Sequence, residues 1–191
     1  IIGDDRQNMA LGEQYMRMDN FLGAQGRFKA AFAANPKNAR AAMRAAEALW
    51  KIKQTDEAVS YLRKAIAADP KFLDSYILLS EYLAERYDYQ GALSILETAA
   101  RTNPNSHLVY RGYAATYLKK GDLANAEAAA IRSVRLFETD ARTNEILARL
   151  YWQKGDMTKS LQYGKRATEI DPSDATAHTT FARIKAHYLG A

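Results

Sequence analysis

The chain contains no cysteine among its 191 residues, which excludes disulfide frameworks, thiolate zinc sites, iron–sulfur clusters and cysteine nucleophiles. That absence selects no compartment, because a thiol-free protein suits reducing and oxidising surroundings alike. Histidine is nearly as scarce. His107, His178 and His187 lack the i, i+4 spacing that would put two imidazoles on one helical face as metal ligands. There is no Gly-rich phosphate loop and no nucleophile motif, so neither catalysis, nor a cofactor, nor a bound metal is expected. No apolar run approaches the roughly eighteen residues of a membrane span, and 26% of residues are charged, so membrane insertion is not expected. The net charge of +5, from 27 basic and 22 acidic residues, is too small to imply a nucleic-acid partner. Apolar residues, at 48%, are plentiful enough to build a core, which argues against disorder. The chain opens Ile1-Ile2-Gly3-Asp4-Asp5, without an initiator Met or a basic-then-apolar leader. It therefore reads as a piece of a longer or processed chain, with the cytoplasm as the expected compartment and the periplasm as the alternative.

Proline is the most informative scarcity. The four prolines, Pro36, Pro70, Pro104 and Pro172, are separated by 34, 34 and 68 residues, the last being twice the first. A fixed period of this length marks a repeat array. The missing beat falls at Glu138, and the phase divides the chain into units 5–38, 39–72, 73–106, 107–140 and 141–174, with 175–189 as a further half unit. Within each unit apolar residues recur three and four apart in two stretches, the period of paired amphipathic helices. The breaks inside the units read Asp19-Asn20, Gln54-Thr55, Asp88-Tyr89, Gly121-Asp122 and Gly155-Asp156. Glycine there ends one helix at positive φ, and Asp, Asn or Thr caps the next. Between units, Asn35-Pro36, Asp69-Pro70, Asn103-Pro104 and Asp171-Pro172 forbid the second helix from continuing. Nothing in the pattern asks for strands.

These features resemble the tetratricopeptide repeat (TPR), whose pattern runs W-x2-L-G-x2-Y, A-x3-F, P. The first unit carries Leu11, Gly12, Tyr15, Ala24, Phe28 and Pro36 at the family spacings, with Asn8 in place of the Trp. The second carries Leu49, Ala58, Leu62, Ala65 and Pro70. The third carries Tyr76, Leu79, Leu83, Ala92, Leu96, Ala99 and Pro104. The fourth is looser, with Ala130 at the large-residue position and Glu138 for proline. In the fifth, Ser160 and Gly164 replace the Ala and the large apolar residue, either letting helices approach closely or leaving room. In 175–189, Phe181 and Ala182 stand where Leu-Gly would and Lys185 takes the place of the Tyr, which suits a polar-faced capping helix. No corresponding polar cap precedes Asp5. The resemblance implies an all-α fold, an α-α superhelix (right-handed TPR solenoid) of about 11 antiparallel helices forming a single array.

By the same resemblance the second, fifth, ninth and twelfth or thirteenth residues of each unit line a concave face. In the first three units these are Arg6, Met9, Glu13, Met16, Arg40, Met43, Glu47, Trp50, Ile77 and Glu81, with Arg44 one turn beyond Arg40. In the last two they include Leu108, Arg111, Leu118, Lys119, Arg142, Glu145, Arg149 and Trp152, joined by Arg183. Met and Trp on such a face are adaptable apolar contacts for a peptide or helix, and Trp is enriched in binding hot spots. Plain packing is the competing reading for Met9, Met16, Trp50 and Trp152, and a solvated charge for each arginine. The third unit is acidic, net −3, and rich in tyrosine (Tyr76, Tyr82, Tyr87, Tyr89), which suggests a separate contact surface, although Tyr76 suits interhelix packing. The Lys/Asn/Arg carboxylate clamp used by some members is not matched: only Arg40 and Arg44 stand at its positions.

The resulting expectation is a non-catalytic scaffold that binds another protein's peptide or helix. Self-association through open array ends, as an adaptor within a pilus, secretion, motility or signalling complex, is the alternative. RNA recognition by helix pairs is more remote, since that relative of the repeat has a period of 35 and lacks the in-phase prolines.

Overall fold

The computed structural model describes residues 4–190. They form eleven helices and no strand: α1 (Asp5–Arg17), α2 (Phe21–Ala34), α3 (Ala39–Lys51), α4 (Thr55–Ala68), α5 (Leu73–Glu85), α6 (Tyr89–Thr102), α7 (His107–Lys120), α8 (Leu123–Leu136), α9 (Ala141–Gln153), α10 (Met157–Ile170) and α11 (Ala175–Tyr188). The chain divides into two compact units, Ile1–Asp88 with α1–α5 and Tyr89–Ala191 with α6–α11.

The 34-residue period reaches individual hydrogen bonds. Each hairpin turn closes when an N–H donates back to the carbonyl that starts the turn, from Asn20, Gln54, Asp88, Asp122 and Asp156 to Tyr15, Leu49, Leu83, Tyr117 and Tyr151, every one at 2.9 Å. A second bond is donated by the preceding residue, for instance Asp19 N–H to the Met16 carbonyl at 3.1 Å. This pair of bonds is the Schellman ending, and it puts one residue in the left-handed region. That residue is Gly121 (φ 85°) and Gly155 (φ 81°) in the later turns but Asp19 (φ 55°), Lys53 (φ 66°) and Tyr87 (φ 64°) in the earlier ones. A side chain with a Cβ costs roughly 1 kcal/mol there relative to glycine. Lys53→Gly is therefore expected to raise stability by about 1 kcal/mol in chemical denaturation, with Gly121→Ala losing about as much. A loss on Lys53→Gly would refute this account of the turns.

Caps follow the sequence at Asn20, Asp122 and Asp156, whose carboxyl or amide oxygens accept from the N–H groups of Gly23, Asn125 and Lys159. Asp4 likewise accepts from Gln7 N–H at 2.8 Å and caps α1. The expected cap at Thr55 is corrected: Thr55 is already the first residue of α4, and Gln54 holds the cap position without a side-chain bond. Helix α8 ends at Leu136, in register with the other second helices, although Glu138 stands in place of a proline. An extended Phe137 (φ −152°) suffices to end it. One periodic feature had no sequence expectation. The fourth residue of several units bonds the carbonyl at the proline position: Tyr76 to Pro70 and Tyr110 to Pro104 by hydroxyl donation, Asn144 to Glu138 by its amide, and His178 Nε2 beside the Pro172 carbonyl at 2.8 Å.

Small residues let the hairpins interlock. Ala24, Ala58, Ala92 and Ala126, each 34 after the last, are fully buried, and Ser160 continues the column by donating to the Ala148 carbonyl at 2.7 Å. Phe28, Leu62 and Leu96 stand in a second, equally buried column that shrinks to Ala130 and Gly164. The shrinkage at Gly164 serves close approach: a Cβ there would lie 3.0 Å from the Phe181 ring of α11. In the first unit the largest member meets the smallest partner, since a Cβ on Gly12 would fall 2.5 Å from Phe28 Cε1. No helix among the described residues is long and apolar enough to cross a membrane.

Candidate functional site

First helices of successive hairpins lie against one another, α3 with α5 in one unit and α7 with α9 and α9 with α11 in the other, so the expected face residues come from neighbouring helices. In Ile1–Asp88 this face is largely satisfied by its own side chains. Arg44 of α3 donates through Nε and Nη2 to both oxygens of Glu13 on α1, at 2.8 and 2.6 Å, and through Nη1 to Glu47 one turn on. Its guanidinium also lies 5.5 Å from the centroid of the Phe28 ring. The bond from Arg44 holds the Glu13 carboxyl below its ordinary range, whereas burial pushes Glu47 up despite the same arginine. Trp50 lies flat on Tyr82 with ring centroids 4.0 Å apart and 9° between planes, and burial raises the Tyr82 phenol.

Met9 and Met16 pack against the core of Ala24, Phe28, Ala45 and Ala48. Met43 and Ile77 are buried, at 8% and 7% exposure, so both are built into the wall. Arg6 and Arg40 are exposed, and Glu81 is half-buried. Of the tyrosines of 73–106, Tyr76 and Tyr82 are buried in Ile1–Asp88 and Tyr87 is exposed, while in Tyr89–Ala191 the Tyr89 hydroxyl donates to the Lys119 carbonyl. Arg44 is thus a structural clamp between α1 and α3.

In Tyr89–Ala191, Arg111 is also committed. It donates through Nη1 to both oxygens of Asp140, at 3.3 and 3.1 Å. Asp140, nearly buried, also accepts from the Thr143 hydroxyl at 2.8 Å and from the Arg142 N–H that it caps. His107 stands 3.8 Å away, and burial lowers its pKa. Lys119 and Arg142 are exposed and Leu118 is buried.

The remaining face residues converge. Arg149, Trp152 and Gln153 of α9 and Thr180 and Arg183 of α11 line an open cleft of about 350 Å³. A second cleft, about 330 Å³, adjoins it through Arg149, Thr180 and Arg183 and adds Glu145 and the first turns of α11. Glu145, expected on the face, is instead buried at 2% exposure. It accepts from the Thr180 hydroxyl at 3.0 Å and reaches Arg149 only at 3.8 Å. The Arg149 side chain keeps 45% exposure, and Arg183 is exposed with no hydrogen bond or ion pair among the described residues. Trp152 is half-buried, one side near the His187 ring at 5.7 Å. Sequence reasoning missed Thr180, Gln153 and Asp140. Asp140 was legible as an N-cap before α9, but its pairing with Arg111 depends on which turns of two helices meet. Among the described residues no group of three or more His, Asp or Glu is placed to hold a metal ion.

Helix hairpins at a constant stride are the architecture of helical-repeat proteins. The tetratricopeptide repeat family model matches residues 9–71, 77–141 and 116–175, and the chain belongs to that family. The fold is similar to that of TTC0263, a thermophilic TPR protein of Thermus thermophilus, with a TM-score of 0.80 and 24% identity over 94% of this chain and 98% of that one. It is also similar to PilW, described as a widely conserved type IV pilus biogenesis factor, with a TM-score of 0.78 and 22% identity over 97% of this chain and 86% of that one. At these identities the likeness shows the fold alone. A curated relative, the "Protein CTR9 homolog" of Arabidopsis thaliana, is 28% identical over 107 residues. That match covers 54% of this chain but about a tenth of the relative's length.

Proposed function

We propose that the protein is a non-catalytic scaffold that holds a peptide or helix of another protein against its first-helix face, with α9 and α11 as the principal contact. The observation that carries this reading is the contrast between arginines. Arg44 and Arg111 are spent on carboxylates of the same chain, while Arg149 and Arg183 stand beside Trp152 in a cleft with most of their hydrogen-bonding capacity unused. An aromatic anchor flanked by available guanidinium groups is the residue chemistry in which binding energy concentrates. Gln153 and Trp152 Nε1–H add polar contacts for a peptide backbone. The exposed Lys119 and Arg142 of the same unit extend the contact as weaker, solvated charges.

The test is selection from a random dodecapeptide library displayed on phage, using the intact chain. Enriched peptides are expected to lose about tenfold or more in affinity on Trp152→Ala, with helicity by circular dichroism unchanged, and to tolerate exposed-surface changes elsewhere. Peptides that bind the Trp152→Ala protein undiminished would move the binding surface away from this cleft.

A further inference from the structure

Resting on that reading, we infer that the α9–α11 cleft selects an acidic segment, a partner peptide carrying Asp or Glu side chains beside an apolar or aromatic residue. Three observations carry it. The first is the charge left over at the site: two guanidinium groups, Arg149 and Arg183, against the single carboxylate of Glu145. The second is how Glu145 is held. It is buried and saturated from one side by the Thr180 hydroxyl, and lies 3.8 Å from Arg149, too far for a close charge-assisted bond. It therefore steadies Arg149 without consuming the donors on its exposed edge, and the fork of a guanidinium matches a carboxylate with two parallel bonds. The third is the apolar side of the cleft, where Trp152 offers a ring for a neighbouring apolar residue.

In Ile1–Asp88 the guanidinium of Arg44 is held between the carboxylates of Glu13 and Glu47, so it offers an acidic peptide no free edge. The other cations expected on that face, Arg6 and Arg40, are exposed. Arg142 lies one heptad before Arg149 on α9 and adds a cation along the same side of the helix.

The same phage selection tests this inference by composition. Enriched peptides are expected to be rich in Asp and Glu, and a synthetic enriched peptide is expected to bind at least tenfold more tightly than its Asn/Gln counterpart at low salt, the gap narrowing as salt rises. Arg149→Ala with Arg183→Ala should abolish the preference. Glu145→Gln, which keeps an acceptor for Thr180 while removing a competing charge, should tighten the acidic peptide about threefold or more. That gain is one that mere damage to the fold would not produce. Acidic enrichment that survives the double arginine variant overturns the assignment to this cleft. Enrichment of neutral or basic peptides that depend on Trp152 overturns the acidic selectivity and leaves the scaffold reading standing. No enrichment of any peptide overturns both.

Discussion

Replacing Phe28 with alanine is expected to cost about 3–5 kcal/mol, the largest stability effect of any single truncation in Ile1–Asp88. Phe28 has no exposed surface, and it is the bulkiest member of a column whose other large members are leucines. Its ring occupies the space that Gly12 leaves: a Cβ at Gly12 would meet three ring atoms at 2.5, 2.7 and 2.8 Å. A ring held on all sides cannot swing away as a leucine methyl does. Gly12→Ala in the otherwise unchanged protein therefore overpacks the site, at about 1–3 kcal/mol, against a helix-propensity gain of about 1 kcal/mol. Once Phe28 is alanine the clash is gone, and the same Gly12→Ala change is expected to stabilise by filling space and stiffening α1. This reversal of sign, read by urea denaturation of the four proteins of the cycle, is the check. Additive losses would show that Gly12 and Phe28 are not partners.

Arg44→Ala is expected to cost about 2–3 kcal/mol, less than a fully buried pair because Arg44, Glu13 and Glu47 retain 18%, 30% and 27% side-chain exposure. The removal strands two carboxylates that share one cation. Their individual replacements should differ in sign. The bond from Arg44 lowers the Glu13 pKa, so ionised Glu13 favours the folded state; this contribution is present above the ordinary value of 4.5 and is lost as pH falls through the lowered one. Burial raises Glu47, so its ionisation opposes folding as pH climbs from 4.5 through the raised value. At neutral pH Glu13→Gln should destabilise, by about 1 kcal/mol for the charge-assisted bond it weakens, while Glu47→Gln is neutral or stabilising. The two variants should converge as pH falls through the lowered Glu13 value. Thermal melts of the variants between pH 3 and 7 read this directly, and equal losses from both would contradict the clamp geometry.

Four prolines sufficed to place the helix ends, because proline removes an N–H and restricts the residue before it wherever it stands. The turns without glycine were less legible. Asp19, Lys53 and Tyr87 take positive φ through the pull of two backbone bonds, which residue identity does not announce. The site was legible as a list of positions and illegible as a set of partnerships. Arg44 and Arg149 both read as available cations; one is closed off by Glu13 across 31 residues of sequence, and the other is left largely open because Glu145 is turned toward Thr180. Met43 and Ile77 sit at face positions yet are buried, which position in the repeat does not announce. Of the two readings the sequence leaves open for the small residues at Ser160 and Gly164, close approach or room left, Gly164 shows the first: a Cβ there would lie 3.0 Å from the Phe181 ring of α11.

Two tryptophans in the chain allow the central claim to be read from two indole N–H signals. Trp50 is stacked on Tyr82 in a face that satisfies its own charges, and Trp152 lines the cleft with Arg149 and Arg183. Titration of the 15N-labelled protein with a selected peptide, assigned through Trp50→Phe and Trp152→Phe, should shift the Trp152 indole resonance progressively while that of Trp50 stays fixed. Movement of the Trp50 signal with Trp152 unchanged would contradict the account and relocate binding to the α3–α5 face.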